Sequence, residues 1–443
     1  MLFIVSKAQV APNVDHHTHI WSLNASKLVT EPLMERVTLP SALQDLLDKK
    51  HRYGGRNKDT SAFTSLYTND FIFLNLQNQN APRWLKGTKA IASVRNFIFD
   101  KFYPTSYGIT DQAGYIAGYE TEAVGDTFKF VSNFYYGITK GTDNNWRIAS
   151  EIFTMKGPPQ VKAITADQLI AEMNVADVKK AAVLSTAFWY GQPNKIFDGI
   201  EYDKVKEEND WLAEQVSRYP DRLVAFCSFN PLKEYAAQEL KRCIDSKKFA
   251  GLKLHVGNSR IEILNPESMR KLQEIFRIAN QNKFPIIIHL WTSGTYGRDQ
   301  AEAFLDEILP QAPDIVVQIA HMAATGPNYH SDDVFEVYAT AAERKDSRMK
   351  NVYVDVSGMV TENIQPQKLE LVAKRLRQFG LHRVLFASDR SPGFGNEAPA
   401  QAWQSFKKLP FTPQEFKIIA ENVAPYLKDK QKKTHVSTKT AKG

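Results

Sequence analysis

The sequence has only two cysteines, Cys227 and Cys243, in 443 residues. That excludes a disulfide framework and any CxxC metal or redox site. Cys227 falls in an apolar run expected to be a core strand and Cys243 on a helical pattern, so both read as small packing residues. Long apolar runs are lacking too, since none approaches the roughly 20 residues needed to cross a bilayer. One-sided charge is scarce. The formal net charge is a modest +7, and no basic stripe interleaved with aromatics points to nucleic acid. Part of the excess lies between Lys428 and Gly443, six lysines against one aspartate, which reads as a solvated tail. Leu2–Val5 has neither the length nor the basic lead of a signal peptide. It is at most the stub of an export signal ending near Ala8-Gln9, which leaves location open between cytoplasm and export.

What remains is an ordinary globular composition, 43% hydrophobic and 24% charged, long enough for two domains. From about residue 161 strand and helix patterns alternate. Near-continuous apolar runs at Lys180–Thr186, Leu223–Phe229, Gly251–Val256, Pro285–Leu290, Ile315–His321, Val352–Val356 and Val384–Ser388 read as strands buried on both faces of a parallel sheet. Between them, Ser268–Asn280 carries Met269, Leu272, Ile275 and Phe276 on one helical stripe. The last helix opens on Thr412-Pro413-Gln414-Glu415, a capping box with proline at its first position. Val14–Ile20 supplies an eighth strand. The expected fold class is α/β, a (β/α)8 barrel.

The interval between the first and second barrel strands is too long for one crossover. Within residues 40–157, Leu43–Tyr53 reads as a helix. Phe71–Leu76, Tyr115–Glu120, Thr127–Thr139 and Trp146–Thr154 read as antiparallel strands. Phe128, Phe130, Phe134 and Tyr136 share a face, interrupted by Ser132. Asp143-Asn144-Asn145 is a hairpin turn and Gly157-Pro158-Pro159 a boundary. The expected organisation is a first barrel strand and connection in 1–39, an inserted α+β domain in 40–157, the rest of the barrel in 158–428 and a basic tail in 429–443.

Polar residues at strand ends carry the chemistry. His17 and His19 are two apart, so one strand face offers two imidazoles to one ion; a hydrogen-bonded polar strand end is the plain alternative. His289 closes an otherwise apolar strand, where a buried imidazole needs a partner. His321 and Asp389 repeat the pattern, and an unpaired buried aspartate is costlier still. One divalent ion explains all of them together. Lys253 and His255 share a face of the Gly251–His255 run. For Lys253 the sequence leaves three roles open: a neutral amine on substrate, a carbamylated bridge between two metals, or a lysine snorkelling to the rim. His255, nearer the open end, is placed to touch substrate. The loop from Trp291 to Gly297 shapes the mouth.

The set Asp15-His16-His17-Thr18-His19, Gly251-Leu252-Lys253-Leu254-His255, His289, His321 and Ser388-Asp389 resembles the amidohydrolase superfamily, in its amidohydrolase-related branch of hydrolases and non-oxidative decarboxylases. The resemblance implies that His17, His19, His289 and Asp389 bind a divalent metal, usually zinc. It implies that His321 completes the site or polarises substrate, and that Asp389 takes a proton from metal-bound water. Arg390 stands where relatives often carry an aromatic residue, so substrate binding there departs from the pattern. The insert resembles the nuclear-transport-factor-2-like (NTF2-like) family in its polyketide-cyclase-like (SnoaL-like) branch, through Tyr67 to Phe71, Trp84, Gly87, Asn145 to Ile148 and Glu151. That implies a lid, a substrate-shaping element or a homo-oligomer contact, with Tyr67, Asp70 and Trp84 as candidate lining of a second pocket.

The leading expectation is a metal-dependent hydrolase of an amide, lactone or ester of a small organic acid, using a metal-activated water. The alternative is a non-oxidative decarboxylase in which Arg298 or Arg390 holds the carboxylate. A third is a non-catalytic ligand-binding protein. The expected partner is a small molecule, with no nucleic acid and no membrane. Substrate binding is expected at Lys253, His255, Trp291 and Arg390, and catalysis at Asp389 and His321.

Overall fold

The computed structural model describes residues 10–25, 37–54, 59–76, 83–95, 98–124, 128–155, 163–192, 197, 199–290, 296–324, 329–361, 364–390 and 398–428. Trp291, the Gly157-Pro158-Pro159 boundary, the side chains of Phe128 and Phe130 and nearly all of the basic tail lie outside them. Among the described residues no helix is long and apolar enough to cross a membrane.

The strands form two sheets. The first holds β1 (Val14–Thr18), β8 (Lys180–Leu184), β9 (Leu223–Ser228), β10 (Gly251–His255), β11 (Ile286–His289), β12 (Val317–Ile319), β13 (Val352–Asp355) and β14 (Val384–Leu385), neighbours in that order. Every ladder in it is parallel. The segment after β14 bonds back to β1, through His16 N to Phe386 O at 3.0 Å and Asp389 N to His17 O at 2.7 Å. The sheet is thus a nearly closed eight-stranded barrel.

Alternation sorts its side chains. Ala181, Val183, Ala225, Leu252, Leu254, Ile286, Ile288, Val317 and Val354 join the large core shared with the surrounding helices. Val14, Ala182, Leu184, Phe226 and Ile287 fill a smaller interior cluster, joined by Leu427. The helix Pro266–Gln281 follows the expected stripe, with the Asn265 side chain accepting from the backbone of Glu267 and Ser268. The capping box at Thr412 is formed as expected, Thr412 N donating to Glu415 Oε2 at 2.7 Å. Both cysteines are buried.

The second sheet lies in sequence between β1 and β8. It holds β2 (Tyr67–Asn75), β3 (Arg83–Lys86), β4 (Ile98–Ile109), β5 (Ala113–Val124), β6 (Phe128–Lys140) and β7 (Trp146–Met155), in the order β3-β2-β7-β6-β5-β4. It is mixed rather than wholly antiparallel, because β2 and β7 run parallel. The sequence reading omits β3 and β4. In β4 the alternation is broken by register shifts at Phe99/Lys101 and Pro104/Ser106, which hide the period of two. The helix Ser41–Tyr53 packs Leu43, Leu46 and Leu47 into the core of this sheet. The turn at Asp143–Asn145 forms as expected, with Asn144 left-handed at φ 65°. Tyr67 is buried, but Asp70 is exposed and Trp84 is 64% exposed, so neither of those two lines an enclosed pocket.

Inside this second core lies a polar cluster. Lys50, Glu120, Tyr136 and Glu151 are all buried. Lys50 Nζ contacts the Tyr136 hydroxyl and lies 3.5 Å from a carboxylate oxygen of both glutamates. Tyr136 donates to Glu120 at 2.6 Å, and Lys50 Nζ sits 3.8 Å from the centre of the Phe99 ring.

Candidate metal centre

The C-terminal ends of β1, β10, β11, β12 and β14 bring the sequence candidates to one mouth. Ligand atoms of His17, His321 and Asp389 all lie within 4.8 Å of one another. Asp389 Oδ1 is 3.1 Å from His17 Nε2 and 3.3 Å from His19 Nε2, and its Oδ2 is 3.8 Å from His321 Nε2. The Nε2 atoms of His17 and His19 are 3.2 Å apart. His289 adjoins through its ring, 4.5 Å from the His321 ring and stacked on His255 at 4.1 Å. Lys253 Nζ lies 3.2 Å from His17 Nε2.

His19 stands one residue past β1, and His321 and Asp389 sit further beyond their strands. β12 ends at Ile319 and β14 at Leu385. His321 (φ 55°), Met322 (φ 49°), Ala323 (φ 61°) and Asp389 (φ 48°) are left-handed. That conformation costs a non-glycine residue on the order of 1–3 kcal/mol. Backbone bonds offset it: His321 N donates to Asp355 Oδ1 at 3.0 Å, and Asp389 N to His17 O at 2.7 Å. The turns aim both side chains inward, where a straight strand would not.

Hydrogen bonds assign the ring protons. His19 Nδ1 donates to Leu184 O at 2.8 Å, His17 Nδ1 to Asp355 Oδ2 at 3.1 Å, and His321 Nδ1 to Ser357 O at 3.0 Å. All three rings therefore turn Nε2 to the centre, a lone pair wherever the ring is neutral. His321 Nε2 is buried and has no hydrogen-bond partner among the described residues. A buried lone pair of that kind, beside two more and a carboxylate, fits a divalent cation. His255 differs. Its Nδ1 accepts from Asn258 N at 3.2 Å, which places its proton on Nε2.

Electrostatics agree for every ring but His17, where burial and Lys253 lower the ring but Asp389 and Asp355 outweigh them and raise it above its ordinary value. Burial pushes His19 down to about 4, and lowers His321, His255 and His289 as well, so these rings are neutral. Burial raises the carboxyl of Asp389, but the His17 and His321 rings outweigh it and hold the group well below the usual carboxylate range. Burial brings the Lys253 amine down to about 8, against the pull of Asp389 and Asp355.

The family model described as amidohydrolase matches residues 195–422. The chain belongs to the amidohydrolase family. The match takes in Lys253, His255, His289, His321 and Asp389, while His17 and His19 precede it. A search of curated proteins finds no match. Among solved structures, the chain is similar to an amidohydrolase from Staphylococcus aureus whose own assignment is provisional, at 21% identity, TM-score 0.42, covering 59% of this chain and 90% of that one. It is similar to 5-carboxyvanillate decarboxylase from Novosphingobium aromaticivorans, complexed with manganese and 4-hydroxy-3-methoxy-5-nitrobenzoic acid, at 18% identity, TM-score 0.40, covering 58% and 78%. It is also similar to the IDCase of Metarhizium anisopliae in apo form, at 13% identity, TM-score 0.48, covering 94% and 97%.

Two expected residues stand elsewhere. Arg390 makes a two-point ion pair with Glu172, at 2.9 and 3.0 Å. Arg298 bonds Glu336, at the surface. Trp291 is outside the described residues. One residue the sequence reading missed is Asp355, wholly buried and bonded to His17, Gln318, His321 and Ser357. Its signal was present: an acid inside the apolar run Val352–Val356, the same irregularity that marked His289.

Proposed function

We propose that this protein is a divalent-metal-dependent enzyme that removes the carboxyl group of a small carboxylic acid as carbon dioxide, without oxidation. His17, His19, His321 and Asp389 would hold the ion, with His289 beside them. The bound ion supplies Lewis-acid stabilisation of negative charge on substrate oxygens. The nitrogen-rich ligand set suits zinc, the ion expected from the sequence, and also accommodates manganese.

The observation that carries the reading is on β10. Lys253 Nζ and His255 Nε2–H are two N–H donors on one strand, set beside ring nitrogens that present only lone pairs. Donors next to a cation site recognise an anion. They take over the carboxylate-binding role expected of Arg298 and Arg390, whose guanidinium groups are committed to glutamates. In the reaction the bond between substrate carbon and carboxyl carbon breaks, its electron pair stays on the substrate, and a proton supplied from this strand replaces the carboxyl group. Lys253 Nζ already sits 3.2 Å from a metal-facing nitrogen. A carbamate on it would extend into the space of the ion itself, which favours one ion and a free amine over the bridged pair. Phe188, 4.9 Å from the His255 ring, adds a flat wall that suits a planar acid.

We further propose that residues 40–157 form an NTF2-like domain that shapes the substrate or joins two copies, between barrel segments 1–39 and 158–428. The test of the activity is product analysis on metal-loaded protein with a panel of hydroxylated benzoic acids. Carbon dioxide release without oxygen uptake from labelled water is expected. Incorporation of that oxygen into product would instead establish the hydrolase reading.

A further inference from the structure

We infer that Asp355 is a positioning residue that fixes the tautomer of His17, and that this choice makes the centre able to hold a cation. The inference rests on the metal reading above. Asp355 Oδ1 accepts from His321 N at 3.0 Å, Ser357 N at 3.2 Å and Ser357 Oγ at 2.6 Å. Its Oδ2 accepts from Gln318 Nε2 at 2.7 Å and faces His17 Nδ1 at 3.1 Å. An ionised carboxylate only accepts hydrogen bonds. His17 Nδ1 must therefore carry a ring proton, and His17 Nε2, facing Asp389 Oδ1, is the nitrogen left to give its lone pair to a cation. The same carboxylate holds the left-handed backbone of His321. Through the Ser357 hydroxyl, 2.9 Å from His321 Nδ1, it also fixes that ring. One side chain on β13 thus orients ligands arriving from β1 and from beyond β12.

The substitution Asp355→Asn keeps the shape and reverses one polarity. Three donors claim the Oδ1 position, so the new amide nitrogen falls opposite His17 and Gln318. Gln318 is pinned, because its Oε1 accepts from the Tyr426 hydroxyl. His17 relieves the clash by moving its proton to Nε2, where the cation needs a lone pair. A side chain that only braced the strand end would cost thermal stability and leave affinity alone.

The experiment is chelator competition for Co2+ on full-length wild-type and Asp355→Asn protein, with the cobalt absorption bands and the melting curve of the metal-free form recorded alongside. Affinity is expected to fall by about 10- to 100-fold, with altered bands and a folded metal-free protein. A folded variant that binds Co2+ within about twofold of wild type, a difference under roughly 0.4 kcal/mol, overturns the inference and leaves the metal reading standing. A wild type that takes up no Co2+ refutes the metal reading itself. Independently of either outcome, nitrogen-15 spectra of the histidines in metal-free wild type, with His17→Gln to identify the signal, should show His17 protonated at Nδ1. Protonation at Nε2 with Nδ1 bare there overturns the inference even if the variant does not fold.

Discussion

The barrel mouth and the inserted sheet each bury a cluster of ionisable side chains, and the two are built on different terms. In the insert, Lys50, Glu120, Tyr136 and Glu151 stand on a regular helix and regular strands, none of them left-handed. One ammonium serves two carboxylates and lies against an aromatic ring. At the mouth, imidazole nitrogens converge on one carboxylate, and four residues hold strained backbone to keep them there. Burial of charge by itself therefore does not mark a site of chemistry. Convergent acceptors on a backbone that resists its own conformation do, because such an arrangement is stable only with something between the acceptors.

The largest expected effect tests the mouth. His17→Ala/His19→Ala should cut turnover at least about 1,000-fold, the consequence of losing several kcal/mol of cation stabilisation. It should leave the inserted domain's melting transition in place. Lys50→Met tests the other cluster. It removes the counter-ion shared by two buried acidic side chains, and about 3–5 kcal/mol of stability should go with it, read by urea denaturation at pH 8, above the Glu151 value. Metal content should not change. Loss of metal from a folded Lys50→Met protein would tie the two clusters together and end the contrast.

A pH series sharpens the contrast. Burial, then the neighbouring Glu120, raises the Glu151 carboxyl to about 7, against the pull of Lys50. Its ordinary value is about 4.5. Between these values the folded chain binds more protons at this site than the unfolded chain, so stability falls as pH rises through the window. Once the group is ionised above it, the loss is of the order of 3 kcal/mol. Glu151→Gln should remove that slope, so the variant gains on wild type at pH 8 relative to pH 5 in denaturant titrations. Parallel curves for the two proteins would show that Glu151 stays ionised across the range.

The barrel was legible because its strands are apolar on both faces and end on the wrong residues. Lys253, His289 and Asp389 each interrupt a run that packing alone would have finished with valine or isoleucine. The cluster in the insert was not legible. Lys50 follows Leu43, Leu46 and Leu47 on one buried face of its helix, yet in sequence it is an ordinary basic residue of a last turn. Its partners come from three other segments, and no local period announces them. The turns at His321 and Asp389 were hidden for another reason. A left-handed residue without glycine leaves no signature, and the runs Ile315–His321 and Val384–Ser388 read as strands to their ends.

The smallest expected effect concerns Arg390, which the sequence placed on substrate. Its guanidinium is held by Glu172 in a partly exposed pair, and it is the backbone of Arg390 that serves the mouth, its carbonyl accepting from His19 N at 3.3 Å. Arg390→Lys keeps the charge and the backbone and loses the two-point geometry. Stability should drop by no more than about 1 kcal/mol, and kcat/KM should stay within about threefold, under roughly 0.7 kcal/mol. A rise in KM of about tenfold at unchanged kcat, or roughly 1.4 kcal/mol, would place the guanidinium on substrate after all. The anion would then be held from the segment beyond β14 as well as from β10, and the donor pair Lys253 and His255 would no longer suffice to account for carboxylate binding.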